Sequence, residues 1–295
     1  MAAVTKPAAW LAAARPPTLL AALAPIAVGT AVASAEGAAR PGIAALALAT
    51  ALALQIAANF ANDLFDFEKG ADTEERRGPP RALQSGWLDA REMRAGIALA
   101  VGVATLCGLG LVAVGGWPIA AAGSFSLAAA LAYTGGPWPL GYHGLGDACV
   151  FVFFGVVGVV GSHYVQAGVL SPLAFATSLP VGLLVTAILV VNNLRDLDSD
   201  ARAGKRTLAV CLGERTTRAY YAALLALAFA VPVALAVSGE ISPIALLPML
   251  TLPLALRLAR EVGRASDGAS WNAALAGTAR LAALFALLFA AGIAA

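Results

Sequence analysis

Histidine is nearly missing from this chain of 295 residues, with only His143 and His163, and the three cysteines, Cys107, Cys149 and Cys211, stand far apart with no C-x-x-C pair. The first scarcity argues against an imidazole-rich metal cluster or haem-ligand set. The second leaves neither a disulfide framework nor a zinc site indicated. Charge is scarce as well: 12% of residues are Asp, Glu, Lys or Arg, against about 25% in a soluble globular domain. A net charge of +2 carries no polybasic signature, so nucleic acid is not an expected partner. What remains is apolar, with 60% hydrophobic residues and a mean hydropathy of +0.81. Lipid must surround most of these side chains, and the composition predicts an all-α polytopic membrane protein.

A spanning helix needs roughly 20 apolar residues. Nine such segments are predicted, at about 17–35, 42–65, 94–114, 117–134, 147–167, 172–193, 217–237, 242–260 and 271–293. Breaks rich in Gly or Pro separate them, and two longer polar loops, 66–93 and 194–216, interrupt the series. With the N-terminus in the cytoplasm, all of the 19 Lys and Arg except Arg40 and Arg280 fall in cytoplasmic segments. The positive-inside rule therefore favours an N-terminus inside and a C-terminus outside, in an inner cell membrane with the polar loops toward the cytoplasm. Lys6 and Arg15, an apolar run and Ala33-Ser34-Ala35 have the layout of a signal peptide, but retention as the first helix is the expectation in a chain that is itself polytopic. Asn62-Asp-Leu-Phe-Asp66-Phe echoes Asn192-Asn-Leu-Arg-Asp196-Leu in the same register. The echo suggests a single domain, 1–295, built as a parallel pseudo-repeat of halves at about 17–134 and 147–260 with a last helix at about 271–293.

The scarce charge is concentrated. Eight of the 17 carboxylates lie between Asp63 and Glu92, and four more between Asp196 and Glu214. Residues three or four apart share a helix face, so Asn59, Asn62, Asp63 and Asp66 can crowd one side of the second span's end, as can Asn192, Asp196 and Asp200 on the sixth. Converging carboxylates repel unless a cation joins them. Hard oxygen donors suit Mg²⁺, which takes one or two carboxylates and completes its shell with water and substrate phosphates. The candidate Mg²⁺ set is Asn62, Asp63, Asp66, Asp72, Asn192, Asp196 and Asp200. Lys69, Arg76, Arg81, Arg195 and Lys205 stand beside these acids as candidates for an anion chelated by the metal, Arg as a bidentate clamp and Lys as a point charge. Acids for metal and bases for phosphate at the mouth of an apolar bundle describe a site for an amphiphilic diphosphate. Glu68, Glu74, Glu75, Asp89, Arg91 and Arg94 are read instead as solvated loop charges. Asn59, Asn62, Asn192 and Asn193 lie at membrane ends, where polar groups are costly and usually functional.

Three blocks carry a family resemblance. Asn62-Asp63-x-x-Asp66-x-x-x-Gly70-x-Asp72-Thr73-x-x-Arg76-x-Gly78-Pro79-x-Arg81 is the first, and Asn192-Asn193-x-Arg195-Asp196-x-x-x-Asp200-x-x-x-Gly204-Lys205-Arg206-Thr207 the second. The third is Tyr133-Thr134-Gly135-Gly136-Pro137-x-Pro139-Leu140-Gly141-Tyr142-x-Gly144-Leu145-Gly146. Together they resemble the UbiA superfamily of intramembrane aromatic prenyltransferases, and within it the MenA branch of 1,4-dihydroxy-2-naphthoate polyprenyltransferases. The wider superfamily has N-x-x-x-D-x-x-x-D, whereas here Gly70 stands at the last Asp and Asp72 comes two residues later. Asp147 stands where Glu is more usual. The resemblance implies a nine-helix fold of two four-helix halves plus one, with a lateral opening to the bilayer. It also implies Mg²⁺-dependent transfer of a polyprenyl chain from polyprenyl diphosphate onto an aromatic naphthoate with loss of CO₂, giving demethylmenaquinol. Asp66, Asp196 and Lys205 would carry the chemistry, with Gln55, Asn59, Tyr133 and Asn193 shaping the acceptor pocket.

Three rivals stand beside this reading. An ion-coupled transporter also has repeats and intramembrane polar residues, but its site belongs near the midplane on broken helices. A CDP-alcohol phosphotransferase would need a D-G-x-x-A-R pattern absent here, and other acceptors such as 4-hydroxybenzoate or homogentisate stay open. His143 is expected in a plain loop role, His163 at the interface, and Trp10, Trp117 and Trp138 in the aromatic belt. Gly155, Gly158 and Gly161 are expected at close helix crossings. Arg280 is left between facing a cavity and snorkelling.

Overall fold

The computed structural model describes residues 4–70 and 78–295, so Asp72 and Arg76 lie outside the described residues. Every regular element among the described residues is helical. A short helix α1 (Lys6–Ala14) precedes α2 (Pro16–Ala35), α3 (Pro41–Glu68), α4 (Ala90–Gly115), α5 (Trp117–Ala132), α6 (Gly146–Ala167) and α7 (Pro172–Arg195). Two short turns, α8 (Leu197–Arg202) and α9 (Leu208–Leu212), lead to α10 (Glu214–Val237), α11 (Pro243–Arg264) and α12 (Gly268–Ala294). Eight of these, α2, α3, α4, α6, α7, α10, α11 and α12, are long and apolar enough to cross a membrane. The ninth expected segment is the 16-residue α5, which stops at Ala132 because the Gly- and Pro-rich stretch beyond it cannot continue the helix.

The ends are set by local chemistry. Asp89 and Asp267 form capping boxes with Glu92 and Ser270, and Ser171 caps α7 through the Ala174 N–H. Such caps satisfy the amide groups that begin a helix without a partner. In the middle of the bundle α7 is the most enclosed span, packed on α2, α6, α10 and α12. Its Val181, Leu184, Val185 and Val191 join Val28 of α2, Tyr221 of α10 and Phe285 and Phe289 of α12 in the main core. Lipid offers apolar residues no gain over apolar contact, so such helices are held by close packing and polar links. One example is the buried Tyr221 hydroxyl, 2.8 Å from Thr278 Oγ1. Another is the α6–α7 crossing, where a Cβ on Gly155 would lie 2.8 Å from the Gly182 backbone. Gly158 meets Pro25 in the same way, but Gly161 has nothing within 4 Å, so only two of the three expected glycines serve a crossing.

Next to this crossing, residues Phe151–Val157 of α6 widen into a π-helical turn, a feature that often marks functional sites. On the outside, Leu99, Leu106 and Leu109 of α4 are 71%, 74% and 60% exposed, as expected of a lipid-facing helix. Trp10 is partly buried. It packs on Phe60 with ring centroids 5.2 Å apart, because α1 folds back onto α3 and α4. His163 is fully buried, with Nε2 2.7 Å from Glu36 Oε2, while Ser171 Oγ donates to the other Glu36 oxygen at 2.6 Å. Burial works against the Glu36 carboxylate, yet the hydrogen bonds from Ser171 and His163 hold it below the ordinary range.

Candidate active site

A cavity of about 280 Å³ opens between α2, α3, α5, α6 and α7. Its body is apolar, lined by residues such as Leu54, Ala129, Phe153, Phe154, Val185 and Ile188, and its polar end carries Asn62, Asp66, Arg81, Asn192, Asn193 and Lys205. The two echoing motifs therefore do meet at one mouth. The α3 repeat explains the first half, since Gln55, Asn59, Asn62 and Asp66 recur every three or four residues and so line one wall.

Asp63 belongs to the other face of α3. It is 1% exposed, and its Oδ2 accepts the Ala82 N–H at 3.2 Å, so it anchors the loop that delivers Arg81. That loop is pinned by Leu83 and Leu88, which pack with Phe60, Leu64 and Met93. Arg81 Nη2 then stands 3.8 Å from Asp66 Oδ2. Across the mouth, Lys205 Nζ is 3.6 Å from Asp200 Oδ1, and the Lys205 amide donates to the Asp200 carbonyl at 2.8 Å. Arg195 sits behind the wall instead of on it. It is 3% exposed, with Nε and Nη2 on the two Asp196 oxygens at 2.8 and 2.7 Å. Nη2 also reaches Asn192 at 2.8 Å, and Nη1 reaches Asn272 of α12 at 3.1 Å. The guanidinium expected to meet diphosphate is thus occupied in aligning Asp196 and Asn192.

The third Gly-rich stretch joins the halves through a residue that sequence reasoning left unassigned. The Tyr142 hydroxyl donates to Asp66 Oδ1 at 2.9 Å, and the ring lies under Lys69 Nζ at 4.7 Å and Lys205 Nζ at 5.3 Å. Its carbonyl accepts the Arg206 N–H at 3.1 Å. Thus one tyrosine touches the acid of the first motif, a lysine of each motif and the backbone of the second. Lys69 also donates to the Thr134 carbonyl, while the Thr134 hydroxyl donates to Asn62 Oδ1 at 2.8 Å. Burial pulls the Lys69 ammonium below the ordinary lysine range; nearby Asp66 opposes that and Lys205 adds to it.

Beside the α3 wall Arg15 and Thr18, also unassigned from sequence, line the cavity. Asn59 Nδ2 donates to Thr18 Oγ1 at 2.9 Å and to the Ala14 carbonyl at 2.8 Å, and Gln55 Nε2 lies 3.3 Å from Asn59 Oδ1. Arg15 holds the left-handed junction of α1 and α2 at φ 52°, and its Nη2 reaches the Asn59 carbonyl at 3.4 Å. The proline pair that follows Arg15 was the available sign of a sharp entry into α2. Tyr133 completes this wall at the end of α5.

Among the described residues no three His, Cys, Asp or Glu side chains converge into a metal cage. The donor chemistry nonetheless suits Mg²⁺ shared with a substrate. Arg81 Nη2 and Lys205 Nζ lie 3.8 and 3.6 Å from Asp66 Oδ2 and Asp200 Oδ1, and Asn62 and Asn192 add neutral oxygens at the same mouth. Few carboxylates with room for phosphate oxygens is the arrangement Mg²⁺ prefers.

Residues 22–293 match the UbiA prenyltransferase family. The chain is 42% identical to the 1,4-dihydroxy-2-naphthoate octaprenyltransferase of Escherichia coli, over 98% of this chain and 96% of that protein. It is 40% identical to the protein of the same name from Mycobacterium tuberculosis, over 88% of each. Its fold resembles that of a UbiA homologue from Archaeoglobus fulgidus solved with GPP and Mg²⁺, with a TM-score of 0.68 at 16% identity, covering 97% of this chain and 100% of that one. With the motifs, the helical bundle and these relatives in agreement, the chain belongs to the UbiA prenyltransferase family.

Proposed function

We propose that this protein transfers a polyprenyl group from polyprenyl diphosphate to 1,4-dihydroxy-2-naphthoate with loss of CO₂, giving demethylmenaquinol in menaquinone biosynthesis. The observation that carries the reading is the meeting of two acid–base motifs at the polar end of an apolar cavity. The names of relatives at 42% and 40% identity support the naphthoate as acceptor. In the reaction the allylic C–O bond to diphosphate breaks and a C–C bond forms at the ring carbon bearing the carboxylate. That carboxylate leaves as CO₂, and its electron pair returns to the ring.

Each residue has a task in this scheme. Asn62 and Asp66 from the first motif, and Asn192, Asp196 and Asp200 from the second, would hold Mg²⁺ together with the diphosphate; Asp63 and Asp72 belong to the same acidic set. Bound Mg²⁺ supplies positive charge that stabilises the departing diphosphate. Lys69, Arg81 and Lys205, with Arg76, add fixed charge where the negative charge of the leaving group develops, which is the kind of preorganised stabilisation that lowers such barriers most. Arg195 acts at one remove, by fixing the Asp196 carboxylate. Phe153, Phe154 and the aliphatic wall exclude water from the allylic cation. Gln55, Asn59, Tyr133 and Asn193 frame the acceptor, with Arg15 a cation beside them. The Lys and Arg distribution supports an inner-membrane location with this mouth on the cytoplasmic side.

The test is purified protein with Mg²⁺, a polyprenyl diphosphate and a panel of aromatic acceptors, measuring prenylated product and CO₂ together. Prenylated naphthoquinol with matching CO₂ release supports the proposal. Transfer only to another acid would move the acceptor assignment, and no transfer to any acceptor would sink the proposal.

A further inference from the structure

A second concavity lies away from this site, on the surface between α11 and α12. It is a groove of about 620 Å³ whose floor includes Leu254, Leu258, Ala273 and Gly277. Its charged residues are Arg257, Arg264 and Arg280 against a single carboxylate, Glu261. Arg257 Nε donates to Glu261 Oε1 at 2.7 Å, which neutralises one arginine. Arg264 and Arg280 are both exposed, and no described residue forms an ion pair or hydrogen bond with either. The groove therefore keeps a surplus of two positive charges.

Arg280 is the unusual member. It follows the start of α12 at Gly268 by 12 residues, about 18 Å along the helix axis at 1.5 Å per residue. That depth is well inside a hydrocarbon layer of about 30 Å, where an unmatched arginine is costly and marks a site. The groove's apolar surface is extended by Leu284, one turn beyond Arg280 on α12 and 48% exposed. The turn between α11 and α12 lies on the same side as the second motif. Arg218, at the start of α10, donates to the Val262 and Ala265 carbonyls at 2.7 Å each, and Arg195 of the second motif bonds Asn272 of α12.

We infer that this groove binds an anionic glycerophospholipid, its phosphate held by Arg264 and Arg280 and its acyl chains laid along Leu254, Leu258 and Leu284. Guanidinium forks match phosphate oxygens bidentately. Arg264, the last residue of α11, stands at the level of a headgroup, and Arg280 can extend its aliphatic stem along the groove toward it. A phosphate whose acyl chains fill the apolar groove meets both charges, whereas a free anion would have to leave water with nothing to cover that surface. Basic pockets between spanning helices on the cytoplasmic side are a known means of holding such headgroups.

The experiment is native mass spectrometry of delipidated full-length protein in detergent, titrated separately with phosphatidylglycerol, phosphatidylcholine and inorganic phosphate. Saturable phosphatidylglycerol binding at least tenfold tighter than phosphatidylcholine is expected. Arg264→Gln and Arg280→Gln should each weaken it roughly fivefold. Ala273→Leu, which keeps every charge but narrows the groove, should weaken it as well. Unchanged helicity and prenyl transfer in these variants would show that the fold is intact. Equal affinity for the two lipids, unaltered binding in the variants, or displacement by inorganic phosphate would each overturn the proposal. So would a dimer of the wild-type chain that separates when the two arginines are replaced, which would make the occupant a second copy.

Discussion

Tyr142 offers the sharpest test of how the two halves of the site are joined. Replacing it with Phe removes one atom, the hydroxyl that donates to Asp66 Oδ1 at 2.9 Å. The ring stays between Lys69 and Lys205 at 4.7 and 5.3 Å, and the Arg206 link runs through the backbone and is untouched. A hydrogen bond to a charged group contributes about 1.5–3 kcal/mol, or roughly ten- to hundredfold at about 1.4 kcal/mol per decade. If Tyr142 fixes the Asp66 carboxylate for a Mg²⁺-bound diphosphate, Tyr142→Phe should lower kcat by that factor. It should also raise the Mg²⁺ concentration needed for half-maximal rate, leaving KM for the aromatic acceptor nearly unchanged. Tyr142→Leu also removes the ring, and with it about 0.5–2 kcal/mol per cation–π contact, so it should be worse than Tyr142→Phe in both respects. Steady-state prenyl transfer across a Mg²⁺ titration measures all of this. If Tyr142→Phe matches the wild type in kcat and in Mg²⁺ requirement, the bridging role is refuted.

Two other perturbations read different parts of the molecule. Arg195→Gln leaves the buried Asp196 carboxylate without its bidentate partner; losing one member of a buried pair costs about 3–5 kcal/mol, so thermal unfolding should shift down markedly and turnover should fall with it, whereas a wild-type melting temperature would contradict the clamp. Glu36, whose carboxylate is held below the ordinary range by Ser171 and His163 against partial desolvation, should contribute stability that is present above the ordinary carboxylate value of 4.5 and fades as pH falls through the lower folded value. Glu36→Gln should flatten that acid limb in a pH series of unfolding midpoints, and an unchanged limb would deny the cluster that role.

Much of the architecture was legible from composition and periodicity because the bilayer leaves a chain few choices. Long apolar runs must be helical to satisfy their own amides, so the segment boundaries followed from hydropathy and from Gly- and Pro-rich breaks. The pairing of the two motifs was legible for a related reason: charge in so apolar a chain is expensive, so Asn62–Arg81 and Asn192–Lys205 stood out. Their presence at one mouth follows from helix alternation. Side-chain direction was not legible. Asp63 and Asp66 are three residues apart and share a face by spacing, yet one holds the loop at Ala82 and the other meets Tyr142 and Arg81. Arg195 lies beside the phosphate-binding candidates in sequence but turns inward, because Asp196, Asn192 and Asn272 surround it.

By itself, then, the sequence determined the membrane class, the helices and the identity of the acids and bases, because hydrophobicity and backbone satisfaction are properties of short segments. Only the tertiary structure decided which of those groups line the cavity, that Tyr142 ties the motifs together, that His163 is buried against Glu36, and that Trp10 packs on Phe60. Those outcomes depend on which distant helix comes to lie alongside, and a partner 76 or 127 positions away leaves no mark on local spacing.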